Sequence, residues 1–196
     1  EKEIINDIKN NKIKFYKPKN IFLKTAEKLK SGKVIGWFQG KSEFGPRALG
    51  NRSILARPYP LSMKSHINFN VKYRENFRPL APAILKEKVN DYFFIKQDSP
   101  HMLIACKVKK KHSEKIEATI HCDNTARVQT VTKKLNNRFW KLIKAFDNLT
   151  NCPVILNTSF NIKGQPIVNS PREAIKCFLK TKIDCLVVGD FFIEKK

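Results

Sequence analysis

Arginines set among glycines, prolines and small polar residues are the groups of this chain best suited to chemistry. Arg47 and Arg52 lie in Gly40-Lys41-Ser42-Glu43-Phe44-Gly45-Pro46-Arg47-Ala48-Leu49-Gly50-Asn51-Arg52-Ser53. Arg74 and Arg78 accompany Lys72 in Asn70-Val71-Lys72-Tyr73-Arg74-Glu75-Asn76-Phe77-Arg78-Pro79, and Arg127 follows Asp123-Asn124-Thr125-Ala126. A guanidinium is planar, permanently charged and offers parallel donors that match an oxyanion. Glycines in the first segment let backbone approach a ligand and expose its N–H groups. Neither G-x-x-x-x-G-K-[ST] nor G-x-G-x-x-G occurs, so this loop is neither a Walker motif nor a dinucleotide fingerprint. Asn157-Thr158-Ser159 adds amide and hydroxyl groups where a strand reads as opening into a turn, the usual place for ligands in open α/β sheets.

Each segment also has a plainer reading. The first loop could be a tight turn whose arginines pair with Glu43 and other surface acids. The second could be a basic helix end offsetting the C-terminal dipole. Convergence of all four segments would instead make one deep anion pocket, suited to a molecule bearing several phosphates. His121, Cys122 and Asp123 lack zinc-site spacing and further ligands, so no metal is expected in this domain. No Ser/His/Asp or Cys/His arrangement can be argued. Trp37, Phe38, Trp140 and Phe160 read as core, though one of them could stack on a purine.

Positioning these groups requires a regular scaffold. Residues 1–20 are polar and lysine-rich and read as a linker or lead-in, with the domain over 21–196. Helical periodicity covers 21–31 and 136–149, and Met63, Ile67 and Val71 suggest another helix. A short helix is expected over 89–94. Ser170-Pro171-Arg172-Glu173 is a capping box with proline at the first helical position, so a helix runs to about Lys180. Strand-like runs fall at 34–38, 79–85, 101–108, 125–131, 154–156 and 184–193. Residues 39–50 read as the glycine-bearing loop. This near-alternation predicts an α/β sheet covered by helices, in one domain without repeats.

Composition sets outer bounds. The chain has 196 residues, 41% of them hydrophobic, and a formal net charge of +22. Such a charge calls for an acidic partner: nucleic acid, an anionic membrane surface or a phosphorylated substrate. Lys107, Lys109, Lys110, Lys111 and Lys115 mark no site and read as a solvated surface in a lysine-biased proteome. The five cysteines are dispersed without a C-x-x-C pair, as expected of reduced thiols in a cytoplasmic protein. No apolar run has the length of a membrane span and no signal pattern is present. A chain opening at Glu1 without methionine is expected to be a piece of something longer.

Taken together, GWFQGKSEFGPRALGNRSILARP, INFNVKYRENFRPLAPAIL, TARVQTV and NCPVILNTSFNIKGQPIVNSPREAIKCFLKTKIDCLVVGDF resemble, in order, the C-terminal domain of the NodU/CmcH family of O-carbamoyltransferases. The resemblance implies a YrdC-like fold, an open twisted mixed sheet flanked by helices. It further implies that this domain joins carbamoyl phosphate to ATP as carbamoyl-adenylate, with Mg²⁺ accompanying ATP. An N-terminal actin-like domain of the same bacterial polypeptide, absent here, would transfer the carbamoyl group to a hydroxyl. Arg47, Lys72, Arg78 and Arg127 would be catalytic cations, and they would bind the substrates together with Asn157 and Ser159. Asn124 stands where the family usually has glycine, and asparagine is expected to keep the left-handed turn. The rival readings are a basic module for double-stranded RNA, a threonylcarbamoyl-adenylate synthase and a docking domain.

Overall fold

Four of the strands are buried along their whole length, which requires cover on both faces of the sheet. The computed structural model describes residues 4, 6–8 and 13–195. Its elements run α1 (Ile21–Lys30), β1 (Ile35–Phe38), β2 (Arg52–Ala56), α2 (Ser62–Ser65), β3 (Ala81–Leu85), α3 (Val89–Tyr92), β4 (Ile104–Lys107), β5 (Thr125–Val131), α4 (Asn137–Thr150), β6 (Val154–Ser159), α5 (Pro171–Lys180), β7 (Cys185–Val188) and β8 (Phe191–Glu194). The strands form one eight-stranded sheet in the order β4-β5-β3-β6-β2-β1-β7-β8. β1 and β7 pair in parallel, as do β3 and β5, and the other neighbours are antiparallel. The architecture is therefore the mixed, helix-flanked single-domain sheet expected from the sequence.

Pairing fixes which side chains share a face, because directly opposed residues point the same way. Ile35, Leu55, Asn157 and Ala81 form one such row, and Ala83 and Gln129 continue it onto β5. Ile35, Leu55 and Ala83 belong to the core that Leu29 of α1 and Phe139, Leu142, Ile143 and Phe146 of α4 close. The opposite core joins Ile54 and Leu156 to Ile175 and Phe178 of α5. Trp37, Phe38 and Phe160 are core residues, and Trp140 packs at the margin with its indole donating to Glu87.

Several expected boundaries change. Arg52–Ala56 is a central strand, β2, inside the region read as glycine-rich loop and its sequel. Asn157-Thr158-Ser159 is not a turn but the end of β6, paired with β2. Residues 184–193 are not one strand: Gly189, with φ 59°, turns the chain between β7 and β8. The second helix is a short α turn that widens into a π-helical turn over His66–Val71. The capping box of Ser170 and Glu173 starts α5, as the sequence indicates, and Asn136, read from the sequence as the first residue of its helix, instead caps α4. Ahead of α1, Tyr16 bridges Phe192 of β8.

Candidate anion-binding site

The glycine-bearing loop between β1 and β2 is held in one shape by a single carboxylate oxygen. Glu43 Oε1 accepts from the backbone N–H groups of Leu49 and Asn51, each at 2.7 Å, and of Arg52 at 3.2 Å. Gly50 has φ 106° and its carbonyl accepts from the Trp37 indole at 2.9 Å. The loop thereby lies against the ends of β5 and β6 and carries Arg47 to them.

There Arg47, Arg74, Arg127, Asn157, Thr158 and Ser159 line one small cavity of about 80 Å³, completed by prolines, alanines and Met102. No acidic residue lines it. Burial disfavours the charge of Arg127, and the neighbouring Arg47 guanidinium adds to that, so its pKa is lowered. Arg74 is lowered in the same way, by burial first and then by Arg78, with Arg127 contributing. Arg74 Nη2, Arg127 Nε and Asn157 Oδ1 are buried without a hydrogen-bond partner. Buried donors and acceptors of this kind are costly unless something satisfies them, so two unmet donors and one unmet acceptor mark this cavity as the candidate site. Met102, buried at the wall, has φ 56°, a strained backbone of the sort that functional sites retain.

The remaining cations fall elsewhere. Lys72 lies behind Ser159: its Nζ donates to the Ser159 carbonyl at 2.7 Å, the Ser159 hydroxyl at 3.2 Å and Asn161 Oδ1 at 2.6 Å. Burial, reinforced by Arg74, lowers its pKa to about 7. Arg78 is outside the cavity lining, exposed and bonded through Nε to Glu75. Arg52 is buried and committed to the loop, donating to the carbonyls of Gln39, Gly40 and Asn51. Asn124 keeps a left-handed turn at φ 61° before Arg127. Two contributors escaped the set carried over by resemblance: Arg74, two residues after Lys72, and Asn161, two after Ser159. Alternate spacing beside an already named residue is the signal that could have found them.

A second cavity of about 260 Å³ lies across the loop, walled by Phe44, Leu49, His101, Val131 and Leu135 with Glu43 and Gln129. It is larger and more apolar than the arginine cavity. Among the described residues no group of three or more His, Cys, Asp or Glu is gathered as for a metal ion. No helix among them is long and apolar enough to cross a membrane.

Comparison with known proteins gives the family and the fold. The chain is 47% identical over 174 residues to nodulation protein NolO of Bradyrhizobium diazoefficiens, covering 87% of this chain and 32% of that protein. It is 35% identical over 167 residues to 3'-hydroxymethylcephem-O-carbamoyltransferase of Streptomyces clavuligerus, covering 85% of this chain and 32% of the relative. The chain thus spans about a third of the length of these curated relatives. Among solved structures, full-length HypF in a phosphate- and nucleotide-bound form superimposes with a TM-score of 0.62 at 18% identity, over 90% of this chain and 26% of that one. Sua5 from P. abyssi complexed with L-threonine gives 0.62 at 17% identity, over 89% of this chain and 47% of that one. These likenesses define the fold as YrdC-like. The carbamoyltransferase C-terminus family matches residues 26–195, and the chain belongs to that family.

Proposed function

We propose that this domain binds carbamoyl phosphate and ATP and forms carbamoyl-adenylate, the activated donor for O-carbamoylation. The observation that carries the reading is a cavity with three guanidiniums, no acid, and one unpartnered amide oxygen. Guanidiniums neutralise two anionic reactants that otherwise repel, and fixed donors stabilise charge that develops at phosphorus and at the carbonyl oxygen. An amide oxygen among them is placed for a ligand N–H. Carbamoyl phosphate combines a phosphate, a carbonyl and an amino group within the size of this space.

The balanced reaction is carbamoyl phosphate, ATP and water giving carbamoyl-adenylate, phosphate and pyrophosphate. Water releases phosphate and leaves carbamate, whose oxygen attacks the α-phosphorus as pyrophosphate departs. No side-chain nucleophile is required. Mg²⁺ would travel with the nucleotide phosphates, since the arginine cavity offers no carboxylate to hold it. The acceptor hydroxyl would be met by the N-terminal portion that the relatives possess, in a soluble cytoplasmic enzyme.

Calorimetric titration with carbamoyl phosphate and with ATP, at two salt concentrations and with duplex RNA as competitor, tests the reading. Saturable binding of both small molecules is expected, and Arg127→Ala should abolish adenylate formation while the fold persists, because the variant relieves repulsion instead of opening a core. Full activity in that variant would remove Arg127 from the site. Salt-sensitive RNA binding alone would point to the nucleic-acid module.

A further inference from the structure

Gln129 is buried at 3% exposure and Asn157 at 1%, and their side chains meet across β3, which lies between their strands. Two inter-strand spacings, about 10 Å, separate the backbones. The β3 residues opposite them on that face are Ala83 and Ala81, small enough to leave the amides room. Gln129 Nε2 donates to the Leu49 carbonyl at 2.8 Å, while Asn157 Nδ2 donates to Gln129 Oε1 at 2.8 Å and to the Ala48 carbonyl at 3.1 Å.

These contacts dictate which way each amide faces. The carbonyls of Ala48 and Leu49 can only accept, so both must be met by amide nitrogen. With its nitrogen held by Leu49, Gln129 presents oxygen to Asn157. Asn157 is thereby locked with Nδ2 on the loop, and Oδ1 is the atom left for the cavity, where it has no partner. Every charged side chain lining that cavity is a guanidinium donor.

We infer that Gln129 is a specificity-determining positioning residue, which fixes the Asn157 amide so that its oxygen selects an anion bearing an N–H donor. The inference rests on the cavity being the carbamoyl phosphate site. Acetyl phosphate is the discriminating probe: it has the same phosphate and carbonyl but a methyl group in place of the amino group. It satisfies the guanidiniums and leaves Asn157 Oδ1 unpaired. Without the Gln129 acceptor, the longer bond to the Ala48 carbonyl is the one hold left on the Asn157 amide, and the distinction weakens.

The test is competitive binding of carbamoyl phosphate, acetyl phosphate and inorganic phosphate to the unaltered chain, Gln129→Leu and Gln129→Met, the last being close in shape if leucine fails to fold. Expected is a preference for carbamoyl over acetyl phosphate of roughly tenfold or more in the unaltered chain, the size of one unmet buried hydrogen bond. In the variants the ratio should fall to about twofold, with inorganic phosphate binding unchanged. A merely structural role for Gln129 would weaken all three anions together, and that result would overturn the inference. So would equal binding of the two acyl phosphates by the unaltered chain, a measurement that needs no variant. Failure of the unaltered chain to bind any of the three anions would instead overturn the reading of the cavity itself.

Discussion

A lysine as buried as Lys72 titrates near neutrality, and this has a signed consequence for stability. Its pKa is lowered from 10.5 to about 7, by burial and then by Arg74. Below pH 7 the ammonium is protonated in both folded and unfolded chains, and the cost of burying it is fully present. Above pH 7 the folded chain has released the proton while the unfolded chain retains it up to about 10.5. The unfolded state then binds more protons, so stability rises with pH by up to about 1.4 kcal/mol per unit. The buried thiols of Cys106 and Cys152, both pushed up to about 11 from 9.0, act in the opposite sense as unfolded thiols ionise. The clean window is therefore roughly pH 7 to 8.5. Urea midpoints across that window should climb in the unaltered chain and climb less in Lys72→Met; parallel profiles would show that Lys72 keeps its proton. Sequence alone places a cation beside Arg74 but not its direction. Tyr73 between them has φ 51°, and that left-handed residue accompanies Lys72 bonding to Ser159 while Arg74 lines the cavity.

At the scale of elements, the sequence discloses those with strong local chemistry and conceals those defined by their neighbours. α4 shows its apolar stripe, α5 its capping box, and β5 its run from Thr125 to Val131. β2 is hidden because it begins with Arg52 and Ser53, polar residues that read as loop, and is a strand only because β1 and β6 pair with it. The end of β6 is hidden likewise, since Asn157-Thr158-Ser159 has turn chemistry and strand geometry. Both concealed pieces belong to the site: one anchors the arginine loop, and the other supplies the amide and hydroxyl groups. Gly50 is the hinge of this arrangement. It has φ 106°, and a Cβ there would lie 2.2–2.9 Å from ring atoms of Phe139, which α4 holds in the core. Gly50→Ala combines an unfavourable backbone with overpacking, and should destabilise the chain by at least about 2 kcal/mol. That corresponds to a melting temperature lower by roughly 4–8 °C. An unchanged melting temperature would mean that the loop can move off α4 without loss, contrary to the close approach seen here.

At the scale of the whole molecule, the charge of +22 divides into two populations. The cations of the cavity are arginines that face one another without acids. Some lysines pair with acids at the surface, as Lys33 does with Asp184, Lys86 with Asp98 and Lys163 with Glu75, but with 39 Lys and Arg against 17 Asp and Glu the net charge lies in cations beyond those pairs. Duplex RNA is the competing partner for that surface charge, and its mark would be an affinity that falls steeply with salt. The chain spans about a third of the length of its curated relatives, and the proposed function predicts a division of labour. Given ATP and carbamoyl phosphate, the chain should release pyrophosphate, and omission of carbamoyl phosphate should reduce that release to the rate without protein. It should not carbamoylate an alcohol, because nothing in the arginine cavity is a base for a hydroxyl group: its polar members are guanidiniums, an amide and hydroxyls. Pyrophosphate release coupled to carbon–oxygen transfer in the chain alone would place acceptor chemistry within this domain. Release only when the chain is joined to the remainder of a full-length protein would mean that the nucleotide site is completed by another part of the polypeptide.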